Sequence, residues 1–223
     1  MIAWEQLDTA QAPGGGVLTL HRRGDEHMIR IDGAELMSTR KHGSESTLAE
    51  LALAELHGRK APHVLIGGLG VGYTLAATLA ACGPDARVVQ SELSDAVVRW
   101  NEEIIGAHAG HPLRDPRVRV ELGDVVDSIA RASGEYDAIL LDVDNGPDAL
   151  TRPGNAKLYR TDGLAAAHRA LTHGGVLAIW SAAPDDAFTK TMGKAGFQVK
   201  VVQARGVRGR GVRHTLWLGV RAR

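Results

Sequence analysis

From residue 63 onward, apolar positions follow two alternating patterns. "HVLIGG" (63–68), "ARVVQSEL" (86–93), "VRVELGD" (118–124), "YDAILLDVD" (136–144) and "VLAIWSA" (176–182) are short apolar runs, and each predicts a strand. Between them, "YTLAATLAAC" (73–82), "DAVVRWNEEII" (95–105), "VVDSIARAS" (125–133), "GLAAAHRALTHGG" (163–175) and "DAFTKTMGKAG" (186–196) carry apolar residues at helical spacing. Strands alternating with helices imply βαβ units and a largely parallel, doubly wound sheet. "FQVKVVQAR" and "VRHTLWLGVRA" predict a closing antiparallel hairpin, which makes the sheet mixed. The stretch before residue 43 reads differently. "VLTLHRR" and "HMIRIDG" flank Gly24-Asp25 and predict a β-hairpin, after which "SESTLAELALAELHG" predicts a helix ending at Gly58. The expected organisation is a small β-rich N-terminal extension over residues 1–42 and a Rossmann-like α/β domain over residues 43–223.

Composition narrows this little. A chain of 223 residues with 44% hydrophobic and 23% charged residues suits one well-packed domain. Acids and bases balance at 26 each, so net charge names no partner. One cysteine, Cys82, excludes an internal disulfide or a multi-cysteine zinc site and reads as a small buried hydrophobe. The N-terminal residues lack the basic and apolar regions of a signal peptide, and no apolar run approaches the ~20 residues of a membrane span, so a cytoplasmic location is expected.

The candidate chemistry lies where strands end. "GGLGVG" between a strand and a helix is a turn in which glycines let the backbone approach a ligand. No Gly-Lys-Ser/Thr follows, which excludes a Walker phosphate loop, and Tyr73 occupies the third small position of a dinucleotide fingerprint. The spacing Gly68-x-Gly70-x-Gly72 instead suits a nucleoside sulfonium of the S-adenosylmethionine type. Glu92 ends the next strand about twenty residues on, where a carboxylate can accept from both ribose hydroxyls. Asp124 ends the third strand, placed either to meet an adenine amino group or to cap a helix, with Val125 supplying the next backbone N–H. Asp142 and Asp144 flank Val143 beyond the fourth strand. On an extended chain they share a face, as a general base and cation-binding pair or as turn residues before Gly146-Pro147.

His108 and His111 lack the further ligands that a metal site needs and read as a surface loop, so no metal is expected. The arginines of "ARGVRGRGVRH", Arg205, Arg208, Arg210 and Arg213, read as a solvated hairpin tip, and nucleic acid is not the expected partner.

In order, "GGLGVG", "ELSD", "GD", "DVDNGP", the run 157–182 with its Leu-Tyr pair, and the closing "HTLWLGVRA" resemble the spermidine synthase family. The resemblance covers residue 15 to the end and is strongest over 63–182. It implies transfer of an aminopropyl group from decarboxylated S-adenosylmethionine to a small amine, in a homodimer. The donor site it implies comprises Gly68, Gly70, Gly72, Glu92, Leu93, Asp124 and Val125. Asp142 and Asp144 would be catalytic, and Asn145 and Tyr159 would touch the acceptor. Two positions depart from the family. Val71 stands where an Asp helps place the aminopropyl group, and Asn145 where a second Asp holds the acceptor. Weak or absent activity with putrescine is therefore expected. A methyltransferase using S-adenosylmethionine, or a non-catalytic adenosine- or RNA-binding module on the same fold, are the alternatives.

Overall fold

The computed structural model describes residues 2–40, 42–143, 155–207 and 210–222. Four strands, β1 (Glu5–Gln11), β2 (Val17–Arg23), β3 (Glu26–Ile31) and β4 (Ala34–Ser38), form an antiparallel sheet in that order. The expected hairpin is thus its middle pair, and β1 and β4 extend it on either side. Helix α1 (Gly43–Ala54) leads into β5 (His63–Gly67), α2 (Tyr73–Ala81), β6 (Arg87–Glu92), α3 (Asp95–Trp100), β7 (Val118–Leu122), α4 (Val125–Arg131) and β8 (Tyr136–Leu141). Then come α5 (Ala156–Tyr159), α6 (Thr161–Ala170), β9 (Leu171–Ser181), α7 (Asp186–Lys194), β10 (Phe197–Val207) and β11 (Arg210–Arg221). These strands build a seven-stranded mixed sheet in the order β10-β11-β9-β8-β5-β6-β7, parallel from β9 to β7 and antiparallel at the β9-β11-β10 end.

Side-chain parity divides the core. Val64 and Ile66 of β5, with Ala138 and Leu140 of β8, face a cluster shared with Leu48, Leu75 and Trp100. Leu65, Ile139 and Leu141 point the other way, toward Ile129, Leu164, Phe188 and Trp217. A sheet covered on both faces needs strands apolar at every position, and all six residues of β8 are buried. Two expectations shift. The helix expected through residue 175 ends at Ala170, because Leu171 already pairs with Tyr136. After Trp100 the helix widens into a π turn, Asn101–Ile105.

The N-terminal sheet docks on the same face as α1, with Leu18, Leu20 and Ile29 buried in that cluster. A polar clasp sits at the seam. Asp8 accepts hydrogen bonds from Trp100 Nε1 at 2.7 Å and Arg99 Nη2 at 2.8 Å. Those donors hold its carboxyl down at about 2. Trp100 is fully buried. Asp8→Ala strands its indole N–H and is expected to cost about 1–3 kcal/mol of stability by chemical denaturation. The sign in pH follows from the lowered value. The clasp is complete above the ordinary carboxylate value of 3.8 and is lost as pH falls through about 2. The pH dependence of the wild type's midpoint in that window should flatten in the variant. A second seam contact joins His27 Nδ1 to His108 Nε2 at 2.9 Å, so the segment between α3 and β7 is tied to β3 through His108.

Candidate active site at the carboxyl edge of the sheet

In an open α/β sheet, ligands bind beyond the carboxyl ends of the strands where the winding reverses. Here the reversal lies between β5, continued outward by β6 and β7, and β8, which begins the other half. The last residue pair of those neighbours is Gly67–Leu141, so Gly68 and Asp142 emerge side by side. Gly68 N–H donates to Ser91 O at 3.0 Å and Asp142 N–H to Gly67 O at 3.0 Å, which fixes both backbones.

The three glycines do different work. Gly68 has φ +85°, and a Cβ there would overlap the Asp142 carbonyl oxygen. Gly70 has φ +54°, and a Cβ would press on Met37 Sδ of β4 at 2.8 Å. Gly72, expected to touch a nucleoside, faces elsewhere. It caps α2 with φ +91°, and its missing Cβ leaves room for Pro112 and Asn101. Its role is packing of the turn. Asn101, which sequence reasoning passed over, holds the turn from behind by donating to Gly70 O at 2.8 Å.

Two adjoining cavities open above these strands. The larger, about 220 Å3, is bounded by Gly68, Gly70, Glu92, Leu93, Asp124 and Val125, and roofed by Leu18, Ile31 and Met37 of the N-terminal sheet. The sequence-derived donor residues thus converge on one chamber, with Gly72 excepted. Glu92 Oε2 accepts from Leu69 N–H and Oε1 from Ser94 N–H, each at 2.8 Å. Each oxygen keeps another lone pair for a neighbouring pair of ligand hydroxyls. Burial pushes this carboxyl up, while the backbone N–H groups pull the other way. Asp124 is the helix cap of one reading, and it also borders the cavity. Its Oδ1 accepts from Val126 N–H at 3.0 Å as the cap of α4. Val125 packs its methyls where a Cβ on Gly67 would be.

The smaller cavity, about 110 Å3, shares Leu36, Met37, Gly70, Asp142 and Val143 with the larger one, and its further lining includes Glu45, Val71, Tyr73, Thr74 and Trp180. Asp142 therefore stands at the junction. Thr74 Oγ1 donates to its Oδ2 at 2.8 Å. Burial, and then the nearby Glu45 carboxylate, raise it to about 7 against the one opposing hydrogen bond. Glu45, on the first turn of α1, is likewise pushed up by burial, although Ser44 Oγ donates to it at 2.7 Å. Tyr73 donates to Thr39 O at 2.9 Å, its ring stacks on His42, and burial with the Glu45 charge raises its phenol to about 12.

Sequence reasoning missed Glu45, Met37 and Trp180, which reach the site from α1, β4 and β9. Of the expected acceptor residues, Asp144 and Asn145 lie outside the described residues. Tyr159 is not brought to either cavity. Its ring is buried edge-on against Phe188, in the cluster on the other face of the sheet. Among the described residues no group of acids, histidines and cysteine could hold a metal. Arg208 of the arginine run also lies outside the described residues.

No family model matches the chain. Polyamine aminopropyltransferases of Mycobacterium tuberculosis and Mycobacterium bovis are 28% identical over 170 residues. The match covers 75% of this chain and 31% of each relative, so the chain spans about a third of the length of the curated relatives it matches. Spermidine synthase from Thermotoga maritima superposes with a TM-score of 0.77 at 16% identity, over 97% of this chain and 73% of that one. A spermidine synthase in complex with the transition-state analogue AdoDATO gives 0.80 at 17% identity, over 97% and 74%. In sequence the chain is similar to the polyamine aminopropyltransferases, and its fold is that of the spermidine synthases.

Proposed function

We propose that the chain is an aminopropyl transferase, taking decarboxylated S-adenosylmethionine in the larger cavity and a small amine in the smaller. One observation carries the reading. Among the described residues that bound the two cavities, every charged side chain is an acid: Glu92, Asp124, Asp142 and Glu45. Acids accept from ribose hydroxyls and an adenine amine, and offset the positive sulfur and the ammonium groups. Among the described residues no lining base stands ready for a phosphate or for the carboxylate of intact S-adenosylmethionine, which favours the decarboxylated donor over a dinucleotide or a methyl donor. The sulfonium is a good leaving group, so alignment is most of the task. Asp142 at the junction takes a proton from the acceptor nitrogen. The nitrogen lone pair forms the new bond to the carbon beside sulfur as the C–S pair returns to sulfur, leaving methylthioadenosine. The homodimer and the cytoplasmic location belong to the same reading; no helix among the described residues is long and apolar enough to cross a membrane.

Calorimetry tests the donor half. Methylthioadenosine and the decarboxylated donor should bind more tightly than S-adenosylmethionine. Glu92→Ala should weaken both by about 1.5–3 kcal/mol, the range for a hydrogen bond to a charged group. Tighter binding of S-adenosylmethionine would favour methyl transfer, and unchanged affinity in the variant would remove Glu92 from the ribose.

A further inference from the structure

The two chambers meet at a neck. Leu36, Met37, Gly70, Asp142 and Val143 border both, and among these only Asp142 and Met37 bring side-chain lone pairs. Met37 is held by its backbone and by its side chain. The backbone pairs with Ile29 in the β3-β4 ladder, and the side chain lies on the glycine turn. A Cβ on Gly70 would come within 2.8 Å of Met37 Sδ but 3.5 Å of its Cε, so the sulfur rather than the methyl rests against the turn. Asn101 fixes that surface from behind through Gly70 O at 2.8 Å. The other methionines among the described residues border neither chamber. Met28 Sδ accepts from Arg30 Nε at 3.2 Å, and Met192 is fully buried in the core.

Transfer puts its reacting centre at this neck, because a nitrogen from one chamber bonds to a carbon from the other. Asp142 is not the whole partner of the positive sulfur there. The acceptor nitrogen attacks only after it has lost a proton, and with that proton on Asp142 the carboxyl is neutral. A thioether is soft and polarizable and keeps its lone pairs, so it attracts a cation without a buried charge of its own. We propose that Met37 selects the donor, its thioether facing the sulfonium and distinguishing it from a neutral sulfur. This rests on the reading of the chain as an aminopropyl transferase. As nitrogen bonds to carbon, the C–S electron pair returns to sulfur, the charge there disappears, and the attraction goes with it. The charged donor is held and the thioether product is let go.

The test is calorimetric titration of the full chain with two probes. One is decarboxylated S-adenosylmethionine, and the other is the same molecule without its S-methyl, a neutral thioether that keeps the aminopropyl ammonium. The wild type should prefer the sulfonium by about tenfold, on the scale of other attractions between a desolvated cation and a soft partner. Met37→Leu conserves volume and removes the sulfur. It should bring the ratio close to one, with thioether affinity little changed. A second measurement needs only the wild type: the 13C-labelled methyl of Met37 should shift far more on adding the sulfonium than on adding the thioether. A preference that survives in Met37→Leu, no preference in the wild type, or equal shifts with both probes overturns the proposal. Incubating the donor with amines and assaying the products for aminopropyl transfer tests the underlying reading separately. If no amine is modified while the preference and its loss persist, the transfer reading falls and the Met37 assignment stands.

Discussion

If Asp142 is the general base of the proposed aminopropyl transfer, Asp142→Asn should lower turnover by about 10²–10⁴-fold, the usual contribution of such a base, while methylthioadenosine affinity changes little. The amide keeps an oxygen for the Thr74 hydroxyl, which sits 2.8 Å from Oδ2, so the geometry of the junction survives the loss of the base. The pH dependence is a second readout. A base raised to about 7 is largely protonated below neutrality, so kcat/KM of the wild type should climb as pH passes about 7. Glu45 contributes to that elevation, so removing its charge in Glu45→Gln should move the climb to lower pH. Stability runs the opposite way. The folded value lies above the ordinary 3.8, so the associated stability is complete below that pH and is lost as pH rises through about 7. At pH values above this window Asp142→Asn should therefore melt at a higher temperature than the wild type. An inactive variant that is also less stable there would point to a structural role.

Gly68→Ala is expected to damage both fold and site. The backbone conformation at φ +85° costs an alanine about 1–2 kcal/mol. Its Cβ would also overlap the carbonyl oxygen of Asp142, a backbone atom that cannot swing aside. Forcing an added methyl into packed surroundings costs about 1–3 kcal/mol more. Relief requires the β5 and β8 ends to separate, which moves Asp142 from the junction. The measurements are the denaturation midpoint and nucleoside binding, and both should fall. Gly72→Ala provides the contrast. It should lose stability, but its residue borders neither cavity, so nucleoside affinity per folded molecule should hold.

The alternation of strands and helices was legible because each element buries a face or both faces, and burial writes a period into the sequence. Glu92 and Asp142 were legible for a related reason: a polar residue that ends an apolar run is where a strand leaves the core. The residues that escaped come from other signals or none. Glu45 reads as an ordinary acid on the first turn of a helix, where the macrodipole favours one. Only the packing of α1 against the sheet turns it into a cavity wall. β1 shows no clean alternation, being mostly exposed or half-buried along its length, so its pairing with β2 had no periodic mark. Gly72 and Tyr159 mislead in the opposite sense. Gly72 sits at a spacing that suits a ligand and Tyr159 in a Leu-Tyr pair that the resemblance sets beside the acceptor, yet one makes room for Pro112 and the other fills the core beside Phe188.

Strand β8 has unequal ends. At its start Asp137 is saturated: it accepts from Arg59 and, at 2.8 and 2.9 Å, from the Thr172 hydroxyl and the His63 N–H. Just past its end stands Asp142, under-partnered and held near neutrality in its proton affinity. The same rod of buried apolar residues thus joins an anchored carboxylate to a primed one. Because the anchor is at the far edge of the sheet, substitutions around the cavities can drift without loosening it. A change of side chain at the cavity end of β8 therefore leaves the Asp137 network at its other end in place.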